Sequence, residues 1–494
     1  MKITTRASGI LLPIFSLPSN YGIGTFGKEA FDFVDVLNKS KQKYWQILPL
    51  CPTSFGDSPY QSFSTFAGNP YFIDLDLLIE KNLITKDQCD SLDFGSNEEY
   101  IDYEKMYCAR YSILRIAYNN SHHKQAREYT SFVEQNGEWL NNYCLYMALK
   151  QRFNGASWLE WDKDIKLRKP NEMEKYRIEL AEEIDFHSFL QYCFFEQWFA
   201  LKKYANQNGV KIIGDLPIYV AMDSADAWAN PELFQFDEML RPKMVAGVPP
   251  DCFSQLGQLW GNPLYDWKIN KSEKYNWWIR RIGAVAKLYD KVRIDHFRGF
   301  AEYWAIPFDN ADARNGIWCK GPGYDLFKEV KKKLGDVDII AEDLGVQTHG
   351  LKILLKKCGY PGMKVLQFGF SNMQDSEHLP HNYTKNCIVY TGTHDNTTTF
   401  DWYDNLMPDD KMFANIYCRI SSDNPILDII KTVFGSVANL VIIPFHDFLQ
   451  LRAEARINTP ATIGENWKWR FKKGQISDFT QNELAKLTNI YFRD

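Results

Sequence analysis

At 494 residues, with 45% hydrophobic and 24% charged side chains, the chain has ordinary globular composition and room for a large core, which argues against disorder. A net charge of -5, both signs spread along the chain, leaves no basic stripe for nucleic acid and no polybasic segment for a membrane surface. No stretch approaches the ~20 consecutive apolar residues of a transmembrane helix, and Pro13 and Pro18 break the short apolar run near the start, so neither a membrane span nor a signal peptide is expected.

Eight apolar runs read as strands: residues 9–15, 44–50, 210–216, 291–297, 337–343, 363–370, 386–393 and 440–446. Amphipathic segments such as GYDLFKEVKKKLG alternate with several of them, the βα rhythm of a parallel sheet. The simplest closure of eight such units is a (β/α)8 TIM barrel occupying residues 1–494 as one catalytic domain. Residues 51–209, between the second and third runs, carry apolar residues at three- and four-residue steps and read as an inserted helical subdomain. Residues 242–267 are rich in Gly and Pro, have little periodicity, and read as an irregular lid-like loop over the barrel mouth.

Ten cysteines are scattered without a CxxC pair, so they read as reduced thiols of a cytoplasmic protein. The nine histidines form no HExxH, and no metal or other cofactor is expected. Aromatic residues, at 15%, are abundant enough to provide stacking faces for sugar rings as well as core.

Three runs end in an acidic residue: KVRIDHFRGF in Asp295, DIIAEDLG in Glu342 and CIVYTGTHDNTTT in Asp395. Carboxylates where barrel strands emerge lie on the face that carries barrel active sites, and paired carboxylates are what glycosidic bond cleavage needs. Arg293 precedes Asp295 by two positions, so on a strand both project to one side and the guanidinium favours the ionised carboxylate of a nucleophile. Apolar neighbours Ile339, Ile340 and Ala341 favour a protonated Glu342, suited to a general acid; Asp343 competes for that role but points to the opposite side of a strand. Asp395, with His394 and Asn396, is placed to bind sugar hydroxyls and stabilise positive charge at the anomeric carbon.

RIDHFRGF, IIAEDLG and TGTHDNTTT resemble conserved regions of the amylase-type clan. SGILLPIFSLPSNYGIG, SPYQSFSTFAGNPYFIDL, GDLPIYVAMDSADAW and VAGVPPDCFSQLGQLWGNPLYDW narrow the resemblance to the amylomaltase family of 4-α-glucanotransferases, from residue 8 to about 471. GDLPIYV stands where α-amylases carry an Asn-His pair, which sets the chain apart from calcium-dependent hydrolases.

The resemblance implies Asp295 as nucleophile, Glu342 as general acid/base and Asp395 as transition-state stabiliser. Arg293, His296 and His394 would contact the sugar at the cleavage point. Tyr60, Asp251, Gln258, Trp260 and Asn466 would line the glucan groove. The implied reaction is retaining transfer of α-1,4-glucan segments between maltooligosaccharides. A hydrolase of the same clan lacks support from the missing Asn-His pair, a silent glycan-binding protein from the three intact carboxylates, and a nucleotide-sugar transferase from the lack of a phosphate cradle or DxD motif.

Overall fold

In a computed structural model describing residues 5–250, 254–345, 347–371, 374–421 and 423–494, each of the eight apolar runs contributes one strand. They are β1 Ala7–Leu11, β2 Tyr44–Gln46, β3 Lys211–Leu216, β4 Lys291–Ile294, β5 Ile339–Ala341, β6 Gly362–Val365, β7 Cys387–Tyr390 and β8 Leu440–Pro444. Every ladder is parallel, in the order β6-β7-β8-β1-β2-β3-β4-β5. The two ends meet where the Ala341 amide donates to the Pro361 carbonyl at 3.0 Å, so the sheet curls into a (β/α)8 barrel.

Most of the strands are buried on both faces, which is why they read as largely apolar runs rather than alternating ones; β6 departs from this, with Gly362 and Lys364 half-buried. Most are shorter than those runs. β2 ends at Gln46, although Ile47, Leu48 and Leu50 stay buried in the segment that follows. Below the mouth the interior turns polar: Asp215 of β3 pairs in register with Arg293 of β4, and the Tyr390 hydroxyl of β7 donates to Gln46 Oε1 of β2 at 2.9 Å. All four residues are buried, so their polar groups depend on these bonds; Asp215 engages through Oδ2, and its Oδ1 has no hydrogen-bond partner among the described residues.

Between β2 and β3 the chain is mainly helical, with Tyr103–Asn120, Arg127–Arg152 and Ala181–Gln207 as its longest elements. The last of these also packs on the barrel, where Phe194 and Trp198 meet Phe26 at 5.1 and 5.2 Å. Buried Gln191 on the same helix exchanges two hydrogen bonds with the main chain of Gly68, at 2.7 and 2.8 Å. Thr65 is held from the barrel side by Asp226 and Arg281, so the 60–69 segment is clamped between insertion and barrel.

Residues 242–267, read from the sequence as irregular, contain the strands Met244–Val248 and Gln258–Pro263. These pair with Glu302–Pro307 and Ile317–Lys320 in a four-stranded antiparallel sheet, ordered 258–263, 244–248, 302–307, 317–320. Alternation is hidden because Gly247 takes a sheet position: a Cβ there would lie 2.3 Å from the Gln258 carbonyl oxygen. Among the described residues no helix is long and apolar enough to cross a membrane.

Candidate active site

The site is built on residues at or just past the carboxyl ends of β3, β4, β5 and β7. Arg293 is 4% exposed and bridges two carboxylates: Nη1 reaches Asp215 Oδ2 at 2.5 Å and Nη2 reaches Asp295 Oδ1 at 2.9 Å. Burial acts against its charge, but Asp215 and Asp295 more than offset this and raise the guanidinium's affinity for its proton. The side chain is therefore a fixed cation that aims Asp295 into the mouth.

Glu342 lies one residue past β5. The His296 amide donates to its Oε2 and the Leu344 amide to its Oε1, both at 2.7 Å, while the Phe297 amide donates to its carbonyl at 3.0 Å. Burial raises its pKa to about 8, Arg293 opposing and the negative charge of Asp295 adding to the rise. At neutral pH Glu342 thus favours the protonated form, beside a carboxylate that is ion-paired. Asp343 faces away: its Oδ1 accepts from the Met363 amide at 2.7 Å, stitching β5 to β6.

His296 follows Asp295 in a left-handed conformation, φ 47° and ψ 48°, which turns the chain so that its amide can reach Glu342. Burial lowers its pKa to about 4, so the ring is neutral. The Trp260 ring meets it edge-on at 4.9 Å, and Trp260 Nε1 donates to Gln258 Oε1 at 3.1 Å. These residues bring the antiparallel sheet onto the end of the barrel where Asp295 and Glu342 lie.

On the opposite flank the Tyr60 hydroxyl donates to Asp215 Oδ2 at 2.7 Å. Its single proton being used there, the 2.9 Å contact with His394 Nε2 requires the histidine to donate, which fixes that ring's proton on Nε2. The two rings stack at 5.3 Å with 12° between planes, and burial raises the Tyr60 pKa, so its hydroxyl stays protonated. Asp395 is steered by a residue without a sequence signal: Asn458 Nδ2 donates to Asp395 Oδ1 at 2.6 Å, and Arg456 Nη2 donates to the Asp395 carbonyl at 3.0 Å.

Asp295, Glu342, Arg293, His296, Tyr60, His394, Asp395, Gln258 and Trp260 thus form one connected constellation. Asn466 is placed differently. Its Oδ1 accepts from the Thr459 amide at 2.9 Å and its Nδ2 donates to the Thr462 carbonyl at 2.9 Å, so its amide organises its own loop. The next residue, Trp467, reaches Tyr60 and His394 at 5.8 and 6.1 Å. Asp251, with Cys252 and Phe253, lies outside the described residues. Asp215 is an unassigned member of the site, although VKIIGDL carries the same apolar-run-into-acid pattern that marked the other carboxylates.

Comparison with known proteins agrees over nearly the full length. The family profile described as 4-alpha-glucanotransferase matches residues 12–477. A 4-alpha-glucanotransferase of Clostridium butyricum is 50% identical over 97% of this chain and 99% of its own, and one of Thermus thermophilus is 44% identical over 96% of each. Among solved structures, amylomaltase from Streptococcus agalactiae in complex with acarbose superposes with a TM-score of 0.96 at 44% identity, covering 99% of both chains. A family match over residues 12–477, relatives at this identity and a superposable fold place the chain in the 4-alpha-glucanotransferase family.

Proposed function

We propose that this 4-alpha-glucanotransferase moves α-1,4-glucan segments between maltooligosaccharides by double displacement, through a covalent glycosyl-enzyme on Asp295. Asp295 Oδ attacks the anomeric carbon of the donor sugar as the bond to the departing O4 breaks. Glu342 gives its proton to that oxygen, which leaves as the 4-hydroxyl of the released glucan. The 4-hydroxyl of an acceptor then enters and loses its proton to Glu342, and its oxygen displaces Asp295 from the anomeric carbon. Both carboxyl groups are returned to their starting states and the α configuration is retained.

The observation that carries this reading is the division of labour between neighbours. Asp295 is tied to the Arg293 cation, while burial keeps a proton on Glu342, so nucleophile and acid are distinguished before substrate arrives. Asp395, held by Asn458 and flanked by His394, is assigned to the sugar hydroxyls, where a short charge-assisted bond strengthens as positive charge grows at the anomeric carbon. His296 and His394, fixed as neutral ring and Nε2 donor, contact the same sugar.

Transfer rather than hydrolysis requires an acceptor sugar to exclude water from the intermediate. Trp260, Tyr60 and Trp467 provide aromatic faces around the cleavage point for that purpose, with residues 242–267 as the lid and residues 51–209 as an appended helical subdomain. The acarbose complex of the Streptococcus agalactiae relative supports an oligosaccharide ligand for this groove. The nine described cysteines are free, consistent with a cytoplasmic setting. Incubation with maltotriose tests the assignment: glucose with a ladder of longer maltooligosaccharides is expected, and glucose with maltose alone would overturn it.

A further inference from the structure

The antiparallel sheet at the barrel mouth has a second aromatic feature, on the edge strand far from Trp260. Trp318 in Ile317–Lys320 is 43% exposed, although its strand is firmly tied down. Trp318 pairs in register with Trp304, whose ring meets it at 5.2 Å and whose Nε1 donates to the Ala313 carbonyl at 2.8 Å. The strand then returns to the catalytic turn, where the Gly321 amide donates to Ala301 at 3.0 Å and the Gly323 amide to Phe300 at 2.8 Å. An exposed indole fixed in this way is a rigid platform rather than a mobile side chain.

One face of the platform is taken. The Arg298 guanidinium lies over the Trp318 ring at 4.1 Å and donates to Glu302 Oε1 at 2.9 Å. Trp304 meets the ring edge-on, so the exposed area belongs to the remaining face and rim. Lys320 stands two residues along the same side of the strand, opposite Glu302 in the ladder. A flat apolar face bordered by a carboxylate acceptor and an ammonium donor matches a sugar ring, which stacks through its C–H face and hydrogen-bonds at its perimeter.

We propose that Trp318, Glu302 and Lys320 form an outer binding site for the remote end of a long α-glucan. The inference rests on the glucanotransferase reading above. Two observations select a glucan as the occupant. Arg298, which backs the platform, lies three residues after Asp295, so platform and site share one rigid turn. The Trp318 strand is also the far edge of the sheet whose other edge presents Trp260 to His296. Three strand spacings of ~4.8 Å separate the edges, about 14 Å, so a chain must run several sugars beyond the cleavage point to reach Trp318. Maltotriose, held at the cleavage point, is expected to end short of it.

The test compares Trp318→Ala and Trp318→Phe with wild type on maltotriose and on maltoheptaose, together with direct binding of maltoheptaose in a Glu342→Gln background. Trp318→Ala is expected to raise KM for maltoheptaose, and weaken its binding, by roughly five- to tenfold, the factor a lost ring-face contact carries. The maltotriose KM and both kcat values stay unchanged, and Trp318→Phe recovers most of the loss. An equal rise in KM for both substrates would assign the ring to support of the catalytic turn and overturn the proposal. So would unchanged maltoheptaose binding, or a lower solution mass for Trp318→Ala that reveals a subunit interface. Failure of wild type to disproportionate maltotriose at all would instead strike the transferase reading.

Discussion

Replacing Arg293 by Met isolates the electrostatic centre of the site. The substitution roughly conserves length but removes the cation between Asp215, whose side chain is fully buried, and Asp295. Breaking a buried pair by deleting one partner costs about 3–5 kcal/mol, because the other charge is left behind. With ~2.1 cal/mol/K of unfolding entropy per residue, 494 residues give about 1 kcal/mol per degree, so Tm should fall about 3–5 °C at pH 8. The loss has a signed pH dependence. Burial already raises the Asp215 pKa against the pull of Arg293, and without that pull it rises further. A carboxyl whose folded pKa exceeds its unfolded value of ~3.9 contributes stability fully below that value, and the contribution fades as pH rises through the folded pKa. The deficit of Arg293→Met should therefore be largest at pH 8 and shrink by about half or more at pH 5, where Asp215 is closer to protonation. Thermal unfolding of both proteins at pH 5, 6.5 and 8 measures it. A deficit that is constant with pH, or larger at pH 5, would refute the buried-charge reasoning.

The transfer rate should fall as pH rises through about 8 if Glu342 is the acid proposed above, which must carry a proton to the leaving oxygen; kcat/KM on maltotriose between pH 5 and 10 locates that limb. Asn458→Ala removes the 2.6 Å hydrogen bond that steers Asp395 and should lower kcat by about 10- to 100-fold with little change in KM, a hydrogen bond to a charged group being worth ~1.5–3 kcal/mol. Asn458→Asp, which sets a second carboxylate against Asp395, should lose more than Asn458→Ala; steady-state kinetics of the two variants decide it, and equal losses would deny Asp395 a steered role.

All eight barrel strands were legible because a parallel strand buried on most of its surface leaves a short, mainly apolar run even where a charged residue such as Arg293 or Lys364 interrupts it. Their ends were not, since burial continues past the ladder in segments such as Ile47–Leu50. The antiparallel sheet escaped notice because its central ladder joins 244–248 to 302–307, more than fifty residues on, and Gly247 breaks the alternation. Within the site, the pairing of Arg293 with Asp295 followed from their two-residue spacing, and the proton on Glu342 from its apolar approach. Asp343 was correctly turned away from its neighbour, and what holds it is the Met363 amide of β6. Asn458 and Arg456 could not be read, because their tie to Asp395 spans about sixty residues and exists only once β7 and the segment after β8 lie side by side. Asp215 carried the right pattern but needed the Tyr60 hydroxyl and Arg293 to reveal what the pattern was for.

The covalent step proposed for Asp295 can be examined directly with α-maltotriosyl fluoride and the Glu342→Gln variant. Fluoride departs without a protonated acid, while the lost base slows acceptor attack, so the glycosyl-enzyme should accumulate. Intact-protein mass followed by peptide mapping is expected to find one maltotriosyl group on the peptide containing Asp295, abolished by a further Asp295→Asn change. Absence of an adduct while fluoride is released, or an adduct on any other residue, would contradict double displacement at this site.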